Sequence, residues 1–196
     1  NDFDNNGIED IMLAKYYDKK QVPVRGKGCT AQQMPYLKER IKTYNDFASR
    51  DIAGILGDGF ESALHYQVNE FRSGWFKNKG NGNFEFIPFS NKAQIAPVNS
   101  ILFEDFDGDT VKDLVLAGNN YNSEIETTRA DAGIGSFLKG LGKWNFKYIP
   151  NIETAFFTKG DCRNIISLKS VNKKTVFVIN NNNSHQLFIV KNKISN

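Results

Sequence analysis

The sequence predicts an all-β chain assembled from repeated antiparallel sheets, and three observations carry that prediction. The composition is rich in aromatics, with 16 Phe and 7 Tyr among 196 residues. Such side chains favour pleated, half-buried surfaces. Short apolar runs alternate with Gly- and Asn-rich turns along most of the chain. Above all, the chain repeats itself. Residues 76–88 (FKNKGNGNFEFIP) match 137–150 (FLKGLGKWNFKYIP), with Pro88 and Pro150 62 positions apart. Residues 113–120 (DLVLAGNN) match 175–182 (TVFVINNN) at the same offset of 62. Two independent pairs sharing one period define a repeat unit.

The middle unit shows the intended order of strands: Ser100–Phe103, Asp113–Ala117, Ile134–Leu138 and Trp144–Ile149, the last following a Gly140–Gly142 turn. Four strands per repeat fit the blade of a β-propeller, in which each blade packs its faces on its neighbours. A β-sandwich is the competing all-β architecture, but sandwich strands have no reason to repeat at a fixed period. The third unit is shorter, with strands at Asn164–Lys169, Thr175–Ile179 and Gln186–Val190 and a polar turn at Asn180–Ser184. The predicted organisation is therefore two and a half to three blades: a partial blade over 1–97, a full blade over 98–160 and a terminal degenerate blade over 161–196.

One stretch breaks the β pattern. Over residues 30–57 the apolar period becomes helical, with Leu37, Ile41 and Tyr44 on one face. Thr30 and Gln33 have capping-box spacing, Ser49 is placed to cap a second short helix, and Gly57 to end it. The segment reads as a helical insertion on the edge of the first blade, as a packing clip or as a lid over a partner or ligand.

The chemistry concentrates in two loops, DFDNNGIED at 2–10 and DFDGDTVKD at 105–113. Calcium takes six to eight oxygen ligands, so carboxylates must converge from alternate positions of a tightly wound loop. Asp2, Asp4, Asn6 and Asp10 would supply side-chain oxygens in the first loop and Ile8 a backbone carbonyl. Asp105, Asp107, Asp109 and Asp113 would do so in the second, with the Val111 carbonyl. Carboxylates so close repel one another unless a cation neutralises them. A solvated acidic turn is the plainer explanation of one such loop, and a weaker explanation of two. An EF-hand would need Glu at loop position twelve, where Leu13 and Leu116 stand. It would also need flanking helices, whereas apolar strand-like segments follow at Ile11–Ala14 and Leu114–Ala117. Two structural calcium ions, each stapling a strand-to-strand turn, are expected. The third unit has Ser170-Val171-Asn172-Lys173-Lys174 at the corresponding place, without a carboxylate, and is expected to bind none. Thr110 stands where glycine is usual, which predicts a differently wound second loop.

The remaining features narrow the function. A net charge of +3, spread along the chain, gives no basic track for nucleic acid. No apolar stretch is long enough to span a membrane, and no signal-peptide pattern is seen. Cys29 and Cys162 lack zinc spacing and are compatible with one disulfide or with two buried thiols. His65 and His185 have no catalytic motif around them, and Arg129 with Asp131 reads as a loop salt bridge. Those residues argue against an enzyme, a propeller-based polysaccharide lyase or hydrolase being the catalytic alternative. Trp75, Trp144 and Tyr121 are candidate platforms for a glycan in a carbohydrate-binding alternative, or else core aromatics. Residue 1 abuts the first carboxylate, so a preceding strand is expected from the remainder of a longer parent chain, of which this would be the C-terminal portion.

With these motifs in place, the chain resembles the FG-GAP or VCBS repeat proteins, whose propeller blades carry D-x-D-x-D-G-x-x-D calcium loops, as in the integrin α-subunit. It looks closer still to a subgroup of large Bacteroidota surface proteins with an ASPIC/UnbV-type region. That resemblance rests on Arg25-Gly26, Cys29 through Pro35, Thr43-Tyr44, Phe47-Ala48, Ala93-Gln94, Ala96-Pro97 and Leu116 through Asn119. It implies a non-catalytic, calcium-binding surface propeller on an exported or outer-membrane lipoprotein. Partners would be other surface or outer-membrane proteins, often of nutrient-uptake machinery.

Overall fold

The computed structural model describes residues 1–123, 127–170, 173–182 and 184–190. The chain forms two compact units, 1–69 and 70–196, that divide inside the segment read as the first partial blade. Strands dominate, arranged as small antiparallel sheets, so the all-β class stands.

In the first unit the carboxylate loop leads to a short hairpin of β1 (Ala14–Tyr17) and β2 (Lys20–Pro23). Ile11 and Leu13 lie exposed before β1, so the first loop does not run straight into a strand as expected. Five short helices follow: α1 (Lys27–Gln33), α2 (Leu37–Arg40), α3 (Tyr44–Ser49), α4 (Ile52–Leu56) and α5 (Gly59–Ser62). They have a core of their own. Ala31, Met34, Leu37, Ile41, Phe47 and Ile55 pack together, with Phe3 and Met12 against them. Leu37 and Ile41 are buried as the period requires, but Tyr44 is 72% exposed, because the chain turns between α2 and α3 and restarts the phase. Capping also differs. Thr30 sits inside α1 and donates its hydroxyl to the Gly26 carbonyl. Thr43 caps α3 through the Asp46 N–H at 3.0 Å, and Asp51, not Ser49, caps α4 through the Gly54 N–H at 2.8 Å. Gly57 ends α4 with φ of 64°.

The second unit is three sheets. Strands β3 (Gly74–Gly80) and β4 (Asn83–Pro88) form a hairpin. Strands β5 (Val98–Glu104), β6 (Asp113–Gly118), β7 (Ser136–Gly140) and β8 (Phe146–Ile149) form a four-stranded meander in that order. After a short helix, α6 (Asn151–Thr154), strands β9 (Cys162–Ser170), β10 (Lys173–Asn180) and β11 (His185–Val190) form the third sheet. The predicted strands of the middle and last units therefore exist, with ends shifted by one or two residues; Trp144 falls in the turn before β8.

The sequence repeat is also a repeat of register. Trp75 pairs with Ile87 in the first hairpin, and Phe137 pairs with Ile149 in the β7–β8 hairpin; both partners are displaced by 62. Strand β6 is buried on both faces. Leu114 and Leu116 join Phe89, Leu138 and Trp75 on one side, while Val115 and Ala117 join Cys162, Ile165 and Val178 on the other. Alternation of side chains along a strand explains how one strand serves two cores. The middle sheet is thus sandwiched between the hairpin side and the β9–β11 sheet.

Candidate metal centre

Each carboxylate loop is wound by its own side chains. In the first, Asp2 accepts from the Gly7 N–H at 2.8 Å, Asp4 from Asn6 at 3.2 Å, Asn6 Oδ1 from Ile8 at 2.8 Å and Asp10 from Phe3 at 3.0 Å. In the second, Asp105 accepts from Thr110 at 3.0 Å, Asp107 from Asp109 at 3.2 Å, Asp109 from Val111 at 2.9 Å and Asp113 from Phe106 at 3.0 Å. These are the same four bonds, 103 residues apart. Positive φ also recurs at equivalent places, at Asn5 (57°) and Gly7 (86°), and at Gly108 (81°) and Thr110 (70°). The different winding expected from Thr110 is therefore absent. Four carboxylate-to-backbone bonds impose the left-handed turn on a β-branched residue that disfavours it.

The winding turns carboxylates inward. Oxygens of Asp2, Asp4 and Asp10 lie within 4.8 Å of one another, as do those of Asp105, Asp107 and Asp109. Oxygen-only donors on a tight turn suit a hard divalent cation, and Ile8 and Val111 each donate their N–H to the loop side chain two residues before. Asp113 stands apart from its group. It is wholly buried, and it accepts from Gly140 N–H on one oxygen (2.8 Å) and Phe106 N–H on the other. Burial pushes its carboxyl above the usual range, against the pull of those two N–H groups. Gly140 must be glycine to come this close, since a Cβ there would collide with the Lys112 carbonyl. Asp2 is held below its usual range, chiefly by the Gly7 N–H.

A residue that the loop pattern did not include neutralises two carboxylates of the second loop. Lys139, on β7, brings its ammonium onto Asp107 and to 3.0 Å from Asp109. That contact lowers the Asp109 carboxyl and raises the lysine. Lys174, on β10, pairs with Glu104 at 3.0 Å and donates to the Asp105 carbonyl at the loop's entrance. Only the register of β7 against β6 could reveal Lys139, because 30 residues separate it from Asp109. In the third unit, Val171 and Asn172 of the carboxylate-free turn lie outside the described residues.

The other candidates resolve simply. Cys29 and Cys162 are both thiols, and burial pushes Cys162 up to about 11. His65 is exposed outside any strand, its Nε2 2.9 Å from the Phe60 carbonyl and its ring edge-on to Phe60. His185 opens β11. Arg129 and Asp131 form the expected loop salt bridge at 2.7 Å, with Arg129 over the Tyr121 ring. No helix among the described residues is long and apolar enough to cross a membrane. The second unit is a set of antiparallel sheets, and each unit carries one carboxylate loop. The chain matches no protein-family model, and no curated protein or solved structure is significantly similar to it.

Proposed function

We propose that the chain is a segment of a calcium-stabilised β-propeller that works as a non-catalytic interaction or scaffolding module on the exterior of a cell. The observation that carries the reading is the pair of loops. Two stretches far apart in sequence use the same four hydrogen bonds to converge carboxylates. The second of them joins adjacent strands, β5 and β6, where a cation would staple the turn. The series of three sheets, with a register that repeats at 62, supports blades over a sandwich. Calcium is plentiful outside cells and scarce in cytosol, and a weak structural site belongs where the ion is abundant. Partners would be other surface or outer-membrane proteins, including those of nutrient uptake.

Thermal unfolding with calcium and with a chelator tests this directly. A cation bound at about 100 times its dissociation constant adds about 2.7 kcal/mol per site. That corresponds to a rise in Tm of roughly 5–10 °C for a domain of this size. Magnesium, which demands a tighter octahedral shell, should do much less. An unchanged Tm in excess calcium would refute the reading.

A further inference from the structure

Strained backbone and an exposed aromatic meet in the turn between β7 and β8, beside the second carboxylate loop. Gly142 through Asn145 form the turn between β7 and β8, in which Asn145 N–H donates to the Gly142 carbonyl. Its two central residues, Lys143 (φ 51°) and Trp144 (φ 63°), are both left-handed. The equivalent turn of the preceding hairpin has Asn81 (φ 52°) and Gly82 (φ 76°), the pair such a turn prefers. A tryptophan therefore stands where its repeat partner is glycine, in a conformation that bulky side chains disfavour. Such strain persists only where surroundings enforce it, and it concentrates at functional sites.

What it achieves is a platform. The Trp144 ring stacks on Phe103 at 5.6 Å between centroids and 25° between planes, and lies 5.8 Å from Trp75. It is nevertheless 57% exposed. Phe103, Trp144 and Phe146 line a trough of about 410 Å³, within the size range of small-molecule sites. Thr110, the strained residue of the second carboxylate loop, lines it too, with Asn145. Two lysines complete the lining, Lys112 above the Phe103 ring and Lys143 in the turn, and no carboxylate belongs to it.

We infer that this trough binds an acidic saccharide, a uronic-acid ring stacked on Trp144 with its carboxylate toward Lys112 and Lys143. A pyranose offers an apolar C–H face to an aromatic plane and hydroxyls to Thr110 and Asn145. The lysines select a negatively charged ring. A nucleic acid would stack as well, but it needs a basic track along its backbone, and two lysines on a chain of net charge +3 supply none. The inference rests on the trough's own aromatics and lysines and not on a bound ion.

The test is calorimetry with a galacturonic-acid tetramer, a neutral glucose tetramer and a short single-stranded oligonucleotide. The acidic tetramer should bind, weakening at high salt, and the neutral one at least ten-fold less tightly. W144G, which restores the glycine of the equivalent turn, should abolish binding, whereas W144F should retain most of it. K112M/K143M, two exposed changes that leave the sheets intact, should weaken the acidic tetramer at least ten-fold. Absence of binding by the wild type, equal binding of the neutral sugar, or unaltered affinity in W144G or K112M/K143M would overturn the proposal. So would a preference for the oligonucleotide, or a dimer in sedimentation that W144G dissolves, since a second copy would then fill the trough.

Discussion

The loops at 2–10 and 105–113 are wound alike and framed differently. Both use four equivalent bonds from carboxylate or amide oxygens to backbone N–H groups. The second is clamped by paired strands, with Glu104 opposite Asp113 in the β5–β6 ladder, and Asp113 is wholly buried. At the first, the equivalent pair is joined by the Asp10 N–H to Asn1 carbonyl bond at 2.9 Å outside any strand, Asp10 is buried too, and Phe3 packs among helices. The comparison separates two kinds of information. Loop winding is local chemistry that nine residues carry wherever they stand, whereas the counter-charge and the brace come from tertiary neighbours.

The largest expected effect concerns the brace. Asp113→Ala leaves the Phe106 and Gly140 N–H groups without their acceptor in a buried place, which should cost about 2–4 kcal/mol in urea denaturation. Asp10→Ala removes the one bond to Phe3 and should cost about 1–2 kcal/mol. Equal losses would mean that the frames do not differ in strength.

Lys139 sharpens the contrast in another way. An ammonium that already neutralises Asp107 and Asp109 competes with an incoming divalent ion. With the first loop disabled by D2N/D4N, K139M should raise the calcium affinity of the second at least ten-fold, about 1.4 kcal/mol, by calorimetry. Without metal the same change should lower stability only slightly, since the pair is solvated. A smaller effect comes from backbone strain. Thr110→Gly should stabilise the second loop by about 1 kcal/mol, and Gly7→Thr should destabilise the first by a similar amount.

Acid gives the smallest difference. Asp2 and Asp109 have carboxyls depressed in the folded chain, by the Gly7 N–H and by Lys139 respectively. A depressed folded value stabilises above the ordinary value of 3.8 and is lost as pH falls through the lowered one. Asp113 runs oppositely: its raised value favours the folded state once it is protonated. Metal-free chain should therefore lose stability gradually below about pH 3.8, and K139M should remove the Asp109 share.

Much of this was legible beforehand because it is periodic. The strands over 98–149 and 162–190 follow alternation and turn residues, and the 62-residue repeat carries register with it. The helical stretch was legible only as helical. Its pieces are four to seven residues long, so one face cannot be traced from Leu37 to Tyr44, and Thr43 and Asp51 capture the caps. Lys139 was hidden, and Trp144, though legible as a candidate platform, gave no sign of the left-handed turn that presents it. Their roles depend on which strands lie side by side and on a turn that no propensity would choose.

Whether both loops hold a divalent ion is measured most directly by a calcium titration of the chelator-stripped chain. Two binding events are predicted, one lost in D2N/D4N and the other in D105N/D107N, each accompanied by a rise in Tm. A flat titration, or binding that survives all four substitutions, would contradict it.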